Sequence, residues 1–482
     1  MPDPLVGSRA VLPSPPRRPL VFASIFMAVA AARPHAPLAA QGYGLYEQGA
    51  CAMARGGAAA AAPCADGSTM VFNPAGLAGM PALAGLGSTV VVPGGTFTNG
   101  TTGRVTDLER DPVVSPNLYL VGPMRWGFTG GLAVYNPYGL SLTWAPNSEG
   151  RFVGSRSVLR VTQLQPTLAT RVGPLSIGGG LNFGYSAVRL QRRLDLAAQQ
   201  TGIPGVTFGT IGAPAGTDFA DVNLTANDWA FGWNAGLLLR GGDRIALGAR
   251  YLSRQTYRYR GGEADITRLL TGRTVPADVR NPANPSQILI RQGTPFDTLV
   301  AAQFAPDGLL ADQQARTILR TPEQAVVGVM LRPAGALKLL FDAQWTNWEV
   351  FDRVRLDFER LPSETLVQDY RATWSWRTGV EYEFTGGTAF RLGWASNEAA
   401  APAQSVTPVL PEAGRNAYTA GLGAQLSNRL RADVAYMYLD QRDRRGRTVA
   451  GDAAQNNGTF RFDAHLVNLS LAYAFSGGRM PR

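Results

Sequence analysis

The sequence predicts an all-β protein, a transmembrane antiparallel β-barrel of about fourteen strands whose lumen is plugged by an N-terminal hatch. Three observations support this fold class. Segments of alternating apolar and polar residues run through most of the chain, short turns alternate with long loops between them, and no run of about 18 apolar residues occurs after the first forty residues. A mean hydropathy of −0.06 and a charged fraction of 17% fit strands that each have one apolar face.

The first forty residues are predicted to be an export signal, which does not belong to the fold. Basic residues precede the apolar run 19–32, and small residues follow up to Ala40. We expect cleavage after Ala40, with Ala32 as a rival position. The predicted organisation is a signal peptide at 1–40, a hatch at 41–82, a barrel at 83–475 and a C-terminal tail at 476–482.

The predicted hatch is too polar and glycine-rich to span a membrane and too aperiodic to form a strand. Asn73 can cap a short helix that begins at Pro74, because a capping Asn accepts an orphan backbone N–H and proline has none to leave unsatisfied. A capped turn in an ordinary loop is the alternative interpretation. Since about fourteen alternating segments follow, we predict that this element lies inside a barrel. The hatch motif comprises Phe72, Asn73, Pro74, Ala75 and Gly76.

Both cysteines, Cys51 and Cys64, lie in the hatch. In an oxidising compartment they could close a short loop and stabilise it by about 3 kcal/mol. Two free buried thiols are the alternative. A metal site would need more ligands than these cysteines and His465, the only histidine after the export signal, so we expect no metal and no cofactor.

The alternation is clearest in the segment 373–384. Trp374 and Trp376 fall on one face, whereas Arg377 and Glu381 fall on the other. A soluble β-sandwich would alternate in the same way and is the main alternative. Charged residues beside glycine on the polar faces, and aromatic residues at strand ends, favour the barrel. The predicted strands fall at 85–93, 115–122, 126–135, 157–172, 174–192, 229–241, 243–261, 321–333, 335–358, 370–384, 387–397, 415–427, 429–442 and 459–475.

Tight turns alternate with long connections between these strands. In such barrels the short turns face the periplasm and the long loops face outward. The two longest loops, 193–228 and 262–320, are predicted either to capture a ligand or to cover the barrel mouth. Long loops are also predicted at 94–114, 136–156 and 398–414.

Several motifs together carry a family resemblance. They are YEQGA at 46–50, AMARGGA at 52–58, VFNPAGLA at 71–78, DAQWTNW at 342–348, RLGW at 391–394, TPVLPEAGR at 407–415 and a terminal strand ending in Phe475. With these motifs the chain resembles the FadL/TodX-type outer membrane transporters of long-chain fatty acids and aromatic hydrocarbons. The resemblance implies a fourteen-stranded barrel, a hatch that fills the lumen, ligand capture between outer loops and sideways exit at a kinked third strand.

The third predicted strand and its end contain residues that would let backbone pairing lapse, namely Gly130, Gly131, Asn136 and Pro137. An ordinary bulge is the alternative.

For the ligand's carboxylate, the candidates by strand parity are the lumen-facing Arg377, Arg391 and Arg431. Each of these could instead belong to a structural network with an inward-facing acid.

The predicted function is passive, hatch-gated diffusion of long-chain fatty acids or similar hydrophobic compounds, with lateral exit. Aromatic-hydrocarbon uptake is the alternative, and a general porin or an outer membrane lipase are further ones. No enzyme is expected, because His465 shares parity with the outward Val467 and no GxSxG elbow occurs. The expected partners are a hydrophobic small molecule and outer membrane lipids, not nucleic acid, and the expected state is a monomer in the outer membrane of a diderm bacterium.

Overall fold

The computed structural model describes residues 42–45, 47–281, 284–446 and 457–475. The predicted export signal and the C-terminal tail lie outside these described residues. None of the helices described is both long and apolar enough to cross a membrane.

The helices are short. The α-helices are α1 Ala50–Met53, α2 Thr69–Phe72 and α3 Phe296–Val300. The 3-10 helices are Pro74–Leu77, Arg125–Gly127, Glu149–Phe152, Leu196–Ala198, Ala301–Phe304, Trp348–Val350 and Ala403–Ser405.

Strands dominate the structure. They are β1 Leu83–Asn99, β2 Val105–Asp107, β3 Val113–Pro123, β4 Phe128–Thr143, β5 Arg156–Val172, β6 Leu175–Asp195, β7 Asp218–Gly241, β8 Ile245–Leu252, β9 Gln255–Arg268, β10 Val279–Asn281, β11 Asn284–Ile290, β12 Gln313–Thr321, β13 Gln324–Ala334, β14 Leu337–Thr346, β15 Arg353–Phe358, β16 Glu364–Val367, β17 Thr373–Glu383, β18 Ala389–Asn397, β19 Arg415–Gln425, β20 Leu430–Gly446 and β21 Gly458–Ala474.

Fourteen of these strands form one closed antiparallel barrel, which confirms the predicted fold class and strand number. Each barrel strand pairs with the next one along the chain. The last strand, β21, pairs with β1 from Leu83↔Ala474 to Asn99↔Gly458. Closure therefore leaves no strand at a free end of the sheet. The barrel strands are β1, β3 to β8, β13, β14 and β17 to β21, and the remaining strands extend them or lie in loops.

The two ends of the barrel differ in their connections. At one end, here called the turn end, the connections are tight, for example 173–174 between β5 and β6 and 335–336 between β13 and β14. At the opposite end, called the loop end, they are long and contain the additional strands. The strands alternate as predicted: on β17, Trp374 and Trp376 are exposed on the outer wall, whereas Arg377 and Glu381 are buried in the lumen.

Several predicted strand boundaries at the loop end are wrong. Strand β4 continues through Asn136 and Pro137 to Thr143, and β7 begins at Asp218, so the loops predicted at 136–156 and 193–228 are shorter. The predicted strand 335–358 is instead broken by the 3-10 helix Trp348–Val350. Outside the part of the barrel that contacts lipid, neither face of a strand has to be apolar. The alternation of apolar and polar residues therefore no longer identifies strands there.

Candidate functional site

The hatch lies inside the barrel, and buried polar side chains of the barrel wall hold its main chain. Asp342 Oδ2 on β14 accepts hydrogen bonds from the N–H groups of Ala59 and Ala60, both at 2.9 Å. Arg250 Nη1 on β8 donates to the carbonyl of Val71 at 2.7 Å. The wall therefore satisfies hatch donors and acceptors that would otherwise be buried without partners.

The side chain of Asn73 forms three hydrogen bonds. Its Oδ1 accepts the N–H of Ala75 at 3.1 Å, and so caps the 3-10 helix that begins at Pro74. Its Nδ2 donates to the carbonyls of Ala60 at 2.7 Å and Leu237 at 2.9 Å. One buried amide thus caps a helix, ties together two parts of the hatch and anchors both to β7.

Glycines in the wall allow the hatch to approach closely. A Cβ on Gly236 would lie 2.1 Å from Asn73 Oδ1, and one on Gly248 would lie 2.0 Å from the carbonyl oxygen of Ala60. No side chain fits at either distance, so both positions require glycine while the hatch is seated.

A charged network joins the hatch to the wall near the turn end. Glu381 Oε2 accepts from Arg55 Nε of the hatch at 3.0 Å and from Arg391 Nε of β18 at 2.5 Å. All three side chains are almost completely buried. The turn-end network, as we call it, comprises Arg55, Lys338, Glu381, Glu383, Arg391, Arg431 and Asp433.

Two of the three predicted carboxylate-binding arginines belong to this network. Arg391 Nη1 lies 2.6 Å from Asp433 Oδ1, and Arg431 Nε lies 2.9 Å from Asp433 Oδ2. Arg377 lies apart from them, buried, and its Nη1 donates to Gln344 Oε1 at 2.8 Å. Arg391 and Arg431 therefore pair with an inward-facing acid, as in the alternative, whereas the contact described for Arg377 is with an amide. Binding of a ligand carboxylate by any of the three stays a prediction.

The first half of the hatch is closed by a disulfide between Cys51 and Cys64, whose Cα atoms are 6.1 Å apart. Arg55 lies within the closed loop. Just after it, Asp66 Oδ1 accepts from the N–H of Ser68 at 2.9 Å and from its hydroxyl at 2.6 Å. Burial raises the pKa of Asp66, and these hydrogen bonds oppose that rise.

The barrel wall is incompletely paired between β3 and β4. Their ladder runs only from Pro123↔Thr129 to Leu118↔Val134. Nearer the loop end, β3 pairs with β1 on its other side, and Asn136 Nδ2 reaches Ser115 Oγ at 3.2 Å. We call this unpaired stretch the β3–β4 gap.

The start of the hatch covers the β4 side of this gap. Gly44 forms an antiparallel bridge with Tyr138, and the N–H of Leu45 donates to the carbonyl of Pro137 at 2.8 Å. The pairing of β4 with β5 also shifts register between Tyr135 and Tyr138, where Asn136 and Pro137 lie.

The two glycines predicted for the same strand behave differently. Gly130 and Gly131 are paired with β3 on one side and with β5 on the other, so they do not interrupt the sheet. A Cβ on Gly131 would lie 2.5 Å from Met70 Sδ of the hatch. That glycine accommodates the hatch, whereas the backbone irregularity lies at Asn136 and Pro137.

An aromatic cluster occupies the lumen toward the loop end. The ring centroid of Tyr43 lies 4.9 Å from that of Trp348 and 5.8 Å from those of Tyr138 and Phe351. Tyr370 packs against Trp348 and Phe351 in turn. Tyr43 belongs to the hatch, so the hatch contributes one ring to an aromatic cluster that the barrel and its loops otherwise form.

Glu412 joins the start of the hatch to the loop 398–414. Its carboxylate accepts from the N–H groups of Ala400 and Ala401, both at 2.9 Å, and from that of Gly42 at 3.3 Å. Burial raises the pKa of Glu412 to about 7, against the opposing effects of these donors and of Arg415. Glu412 lies in the 407–415 motif, but the motif alone does not indicate that the residue is buried.

The two longest loops pack against each other. Phe208 lies 6.0 Å from Phe296, and Phe219 lies 6.0 Å from Phe304, measured between ring centroids. Their apolar residues thus form a separate core over the loop end.

His465 lies on the outer wall, where its Nδ1 is 2.8 Å from Tyr436 Oη.

A closed fourteen-stranded barrel with an apolar outer wall and a polar, occupied lumen defines an outer membrane β-barrel. Residues 30–475 match the family described as outer membrane protein transport protein (OMPP1/FadL/TodX), and the chain belongs to this family. Members of this family transport hydrophobic small molecules such as fatty acids or aromatic hydrocarbons.

Two sequence relatives illustrate the similarity. The chain is 24% identical over 377 residues to the long-chain fatty acid transport protein of Escherichia coli O6:H1, covering 75% of this chain and 76% of that protein. It is 22% identical over 385 residues to outer membrane protein P1 of Haemophilus influenzae strain Rd, covering 75% of each.

Solved structures share the fold. A Pseudomonas aeruginosa FadL homologue superposes with a TM-score of 0.73 at 20% identity, covering 90% of this chain and all of that one. The Pseudomonas putida toluene transporter TodX superposes with a TM-score of 0.63 at 16% identity, covering 90% and 99%. At these identities the likeness concerns the fold alone.

Proposed function

We propose that the chain carries long-chain fatty acids or similar hydrophobic compounds across the outer membrane by passive diffusion, with the hatch as the gate and the β3–β4 gap as a lateral exit. One observation carries the proposal. The segment 43–45 both fills the aromatic cluster, through Tyr43, and covers the gap, through Gly44 and Leu45. Movement of this one segment would vacate an apolar site and uncover an opening in the wall.

The proposed mechanism needs no chemical step. An apolar tail that enters from the loop end competes with Tyr43 for the ring faces of Trp348 and Phe351. Displacement of Tyr43 pulls Gly44 away from Tyr138, and the unpaired edges of β3 and β4 then border an opening toward lipid. Because the tail passes from one apolar environment to another, it is never exposed to water for long.

The turn end faces the periplasm in this proposal, and the membrane lipids beside β3 and β4 receive the ligand. The chain acts as a monomer, because one chain supplies both the closed barrel and the segment that fills it. A general porin is disfavoured because the hatch is seated across the lumen by buried contacts on several strands.

Deletion of residues 41–80 tests the role of the hatch. We expect uptake of labelled oleate to lose its selectivity, and a small sugar that intact protein excludes to leak through. Oleate uptake that survives unchanged without a leak would contradict the gate. Labelled toluene, measured in parallel, separates an acid transporter from a hydrocarbon channel.

A reversible disulfide, here called the Leu45–Gly139 lock, tests whether movement of the segment 43–45 is needed for uptake. A Cβ on Gly139 would lie 2.7 Å from Leu45 Cδ1, so the two positions are neighbours, and a disulfide in the pair Leu45→Cys/Gly139→Cys would tie the segment 43–45 to β4. We expect oxidation to block oleate uptake and reduction to restore it. The pair Ala417→Cys/Leu439→Cys joins two permanently paired strands and controls for reduction of the native disulfide. Equal effects on both pairs would contradict movement at the gap.

A further inference from the structure

A cavity of about 880 Å³ opens at the turn end, between the hatch disulfide and the ends of the barrel strands. None of the aromatic cluster residues lines it. Most cations that line the cavity pair with carboxylates. Arg55, Lys338 and Arg391 pair with Glu381, Arg431 pairs with Asp433, and Arg332 lies 3.6 Å from Glu383.

Arg171 and Arg240 line the same cavity without such partners. Leu168 of β5 and Leu239 of β7 are exposed on the outer wall, so the alternation directs Arg171 and Arg240 into the lumen. They flank Ser176 of β6, which is paired with Arg171 and accepts from Arg240 Nη1 at 3.0 Å. Neither arginine forms an ion pair with a carboxylate of the described residues.

These two guanidinium groups retain unused donors. Arg171 Nε donates to the carbonyl of Gly173 at 2.9 Å, which leaves its two terminal nitrogens without an acceptor in the described part of the chain. Asp243 also lines the cavity but pairs with neither arginine. Arg171 on β5 and Arg240 on β7 lie on either side of β6, and like charges grouped in a cleft attract counter-ions. The forked guanidinium is the side chain that best matches a carboxylate.

The rest of the lining is suited to the tail of such an anion. Met80 of the hatch and Met330 of β13 border the cavity together with small residues such as Ala246. We propose that Arg171 and Arg240 bind the carboxylate of an amphiphilic acid at the turn end, with its apolar tail against Met80 and Met330. The inference rests on the proposed transport function and deepens it, because it selects acids over neutral hydrocarbons and places a second ligand site away from the aromatic cluster.

The test is the full chain in zwitterionic nanodiscs, with dodecanoate and dodecan-1-ol as probes and the double variant Arg171→Gln/Arg240→Gln. We expect the affinity for dodecanoate to fall about tenfold and that for dodecan-1-ol to stay the same, because only the acid loses charge-assisted hydrogen bonds. The matched control is Arg244→Gln/Arg429→Gln, which removes two exposed arginines that do not line the cavity. Unchanged dodecanoate affinity in the first variant, or an equal loss in both, would overturn the proposal.

The location of the bound acid provides a second measurement. Dodecanoate with a diazirine at the end of its tail should label peptides that contain Met80 or Met330, and the Arg171→Gln/Arg240→Gln variant should abolish that labelling. Labelling confined to the aromatic cluster would overturn the site. Competition by acetate or inorganic phosphate as strong as that by decanoate would indicate a small-anion site and overturn the amphiphile assignment.

The result for the Arg171 and Arg240 site can be distinguished from the result for the transport proposal. Hatch deletion and the Leu45–Gly139 lock measure uptake, whereas the two arginines are tested by equilibrium binding and labelling. Transport can fail its tests while dodecanoate still binds at Arg171 and Arg240, and the reverse result is equally distinguishable.

Discussion

The two halves of the lumen hold the hatch by different kinds of contact. Toward the loop end, Tyr43 is held by ring contacts with Trp348, Tyr138 and Phe351. Toward the turn end, Arg55 is held by Glu381 in a buried, charged network. The apolar tail of a ligand can replace aromatic contacts but offers nothing in exchange for a salt bridge.

The energies of the two kinds of contact differ accordingly. Aromatic pairs contribute about 0.5–1.5 kcal/mol each beyond the area they bury. Removing one partner of a buried ion pair costs about 3–5 kcal/mol, because a charge is left uncompensated. If ligands displace the hatch as proposed, this contrast predicts that the segment 43–45 moves while the part around Arg55 stays seated.

The largest expected effect comes from breaking the turn-end network. The substitution Glu381→Ala leaves Arg55 and Arg391 without this carboxylate, and we expect the seated hatch to lose about 3–5 kcal/mol. Hydrogen exchange of the amides around Arg55 should accelerate, and ion conductance of the reconstituted barrel should rise. Asp443→Ala is the control, since its pair with Arg461 is exposed and should contribute less than about 1 kcal/mol. Similar exchange in both variants would show that the network does not hold the hatch.

The disulfide should have the next largest effect. Reduction of Cys51–Cys64, or the variant Cys51→Ser/Cys64→Ser, removes a constraint of about 3 kcal/mol from the first half of the hatch. We expect this half to be seated less rigidly in the lumen, so that oleate uptake changes in reductant. Both cysteines border the turn-end cavity, and both are almost completely buried, so reduction is to be confirmed by thiol labelling before uptake is measured. The serine variant should not respond to reductant, and equal uptake of the native protein with and without it would make the bond incidental to transport.

The sequence predicts the barrel strands well because the alternation that marks a strand lies within that strand. Alternation along one strand is enough to assign Arg377 to the lumen and Trp376 to lipid. The partners of lumen charges are not local: Arg55 meets Glu381, which lies 326 positions away. Which arginines have no carboxylate partner among the described residues, as is true of Arg171 and Arg240, depends on where the fold places every acid and the hatch. Loop-end boundaries were missed because no apolar face marks strands beyond the membrane.

The smallest of the three effects concerns Glu412, which holds Gly42 at the loop end. Its pKa in the folded protein, about 7, exceeds the ordinary value because burial penalises the charged carboxylate. The folded state therefore binds more protons than the unfolded state between these values, and stability falls as pH rises through about 7. Detachment of Gly42 exposes the carboxylate to water and relieves the cost of burying its charge, so we expect detachment to become easier by at most about 2 kcal/mol from pH 5 to pH 8.

Looser attachment of Gly42 would favour displacement of Tyr43, so oleate uptake should rise over the same pH range. Hydrogen exchange of the amides at 42–45, corrected for its intrinsic pH dependence, measures the contact directly. The substitution Glu412→Gln should flatten both pH profiles, whereas Glu398→Gln, in the same loop, should leave them intact. A pH profile that persists in Glu412→Gln would assign the titration to another group. In that case, the loop-end half of the hatch would be held by aromatic contacts and uncharged hydrogen bonds, such as that from Leu45 to Pro137, which strengthens its contrast with the turn end.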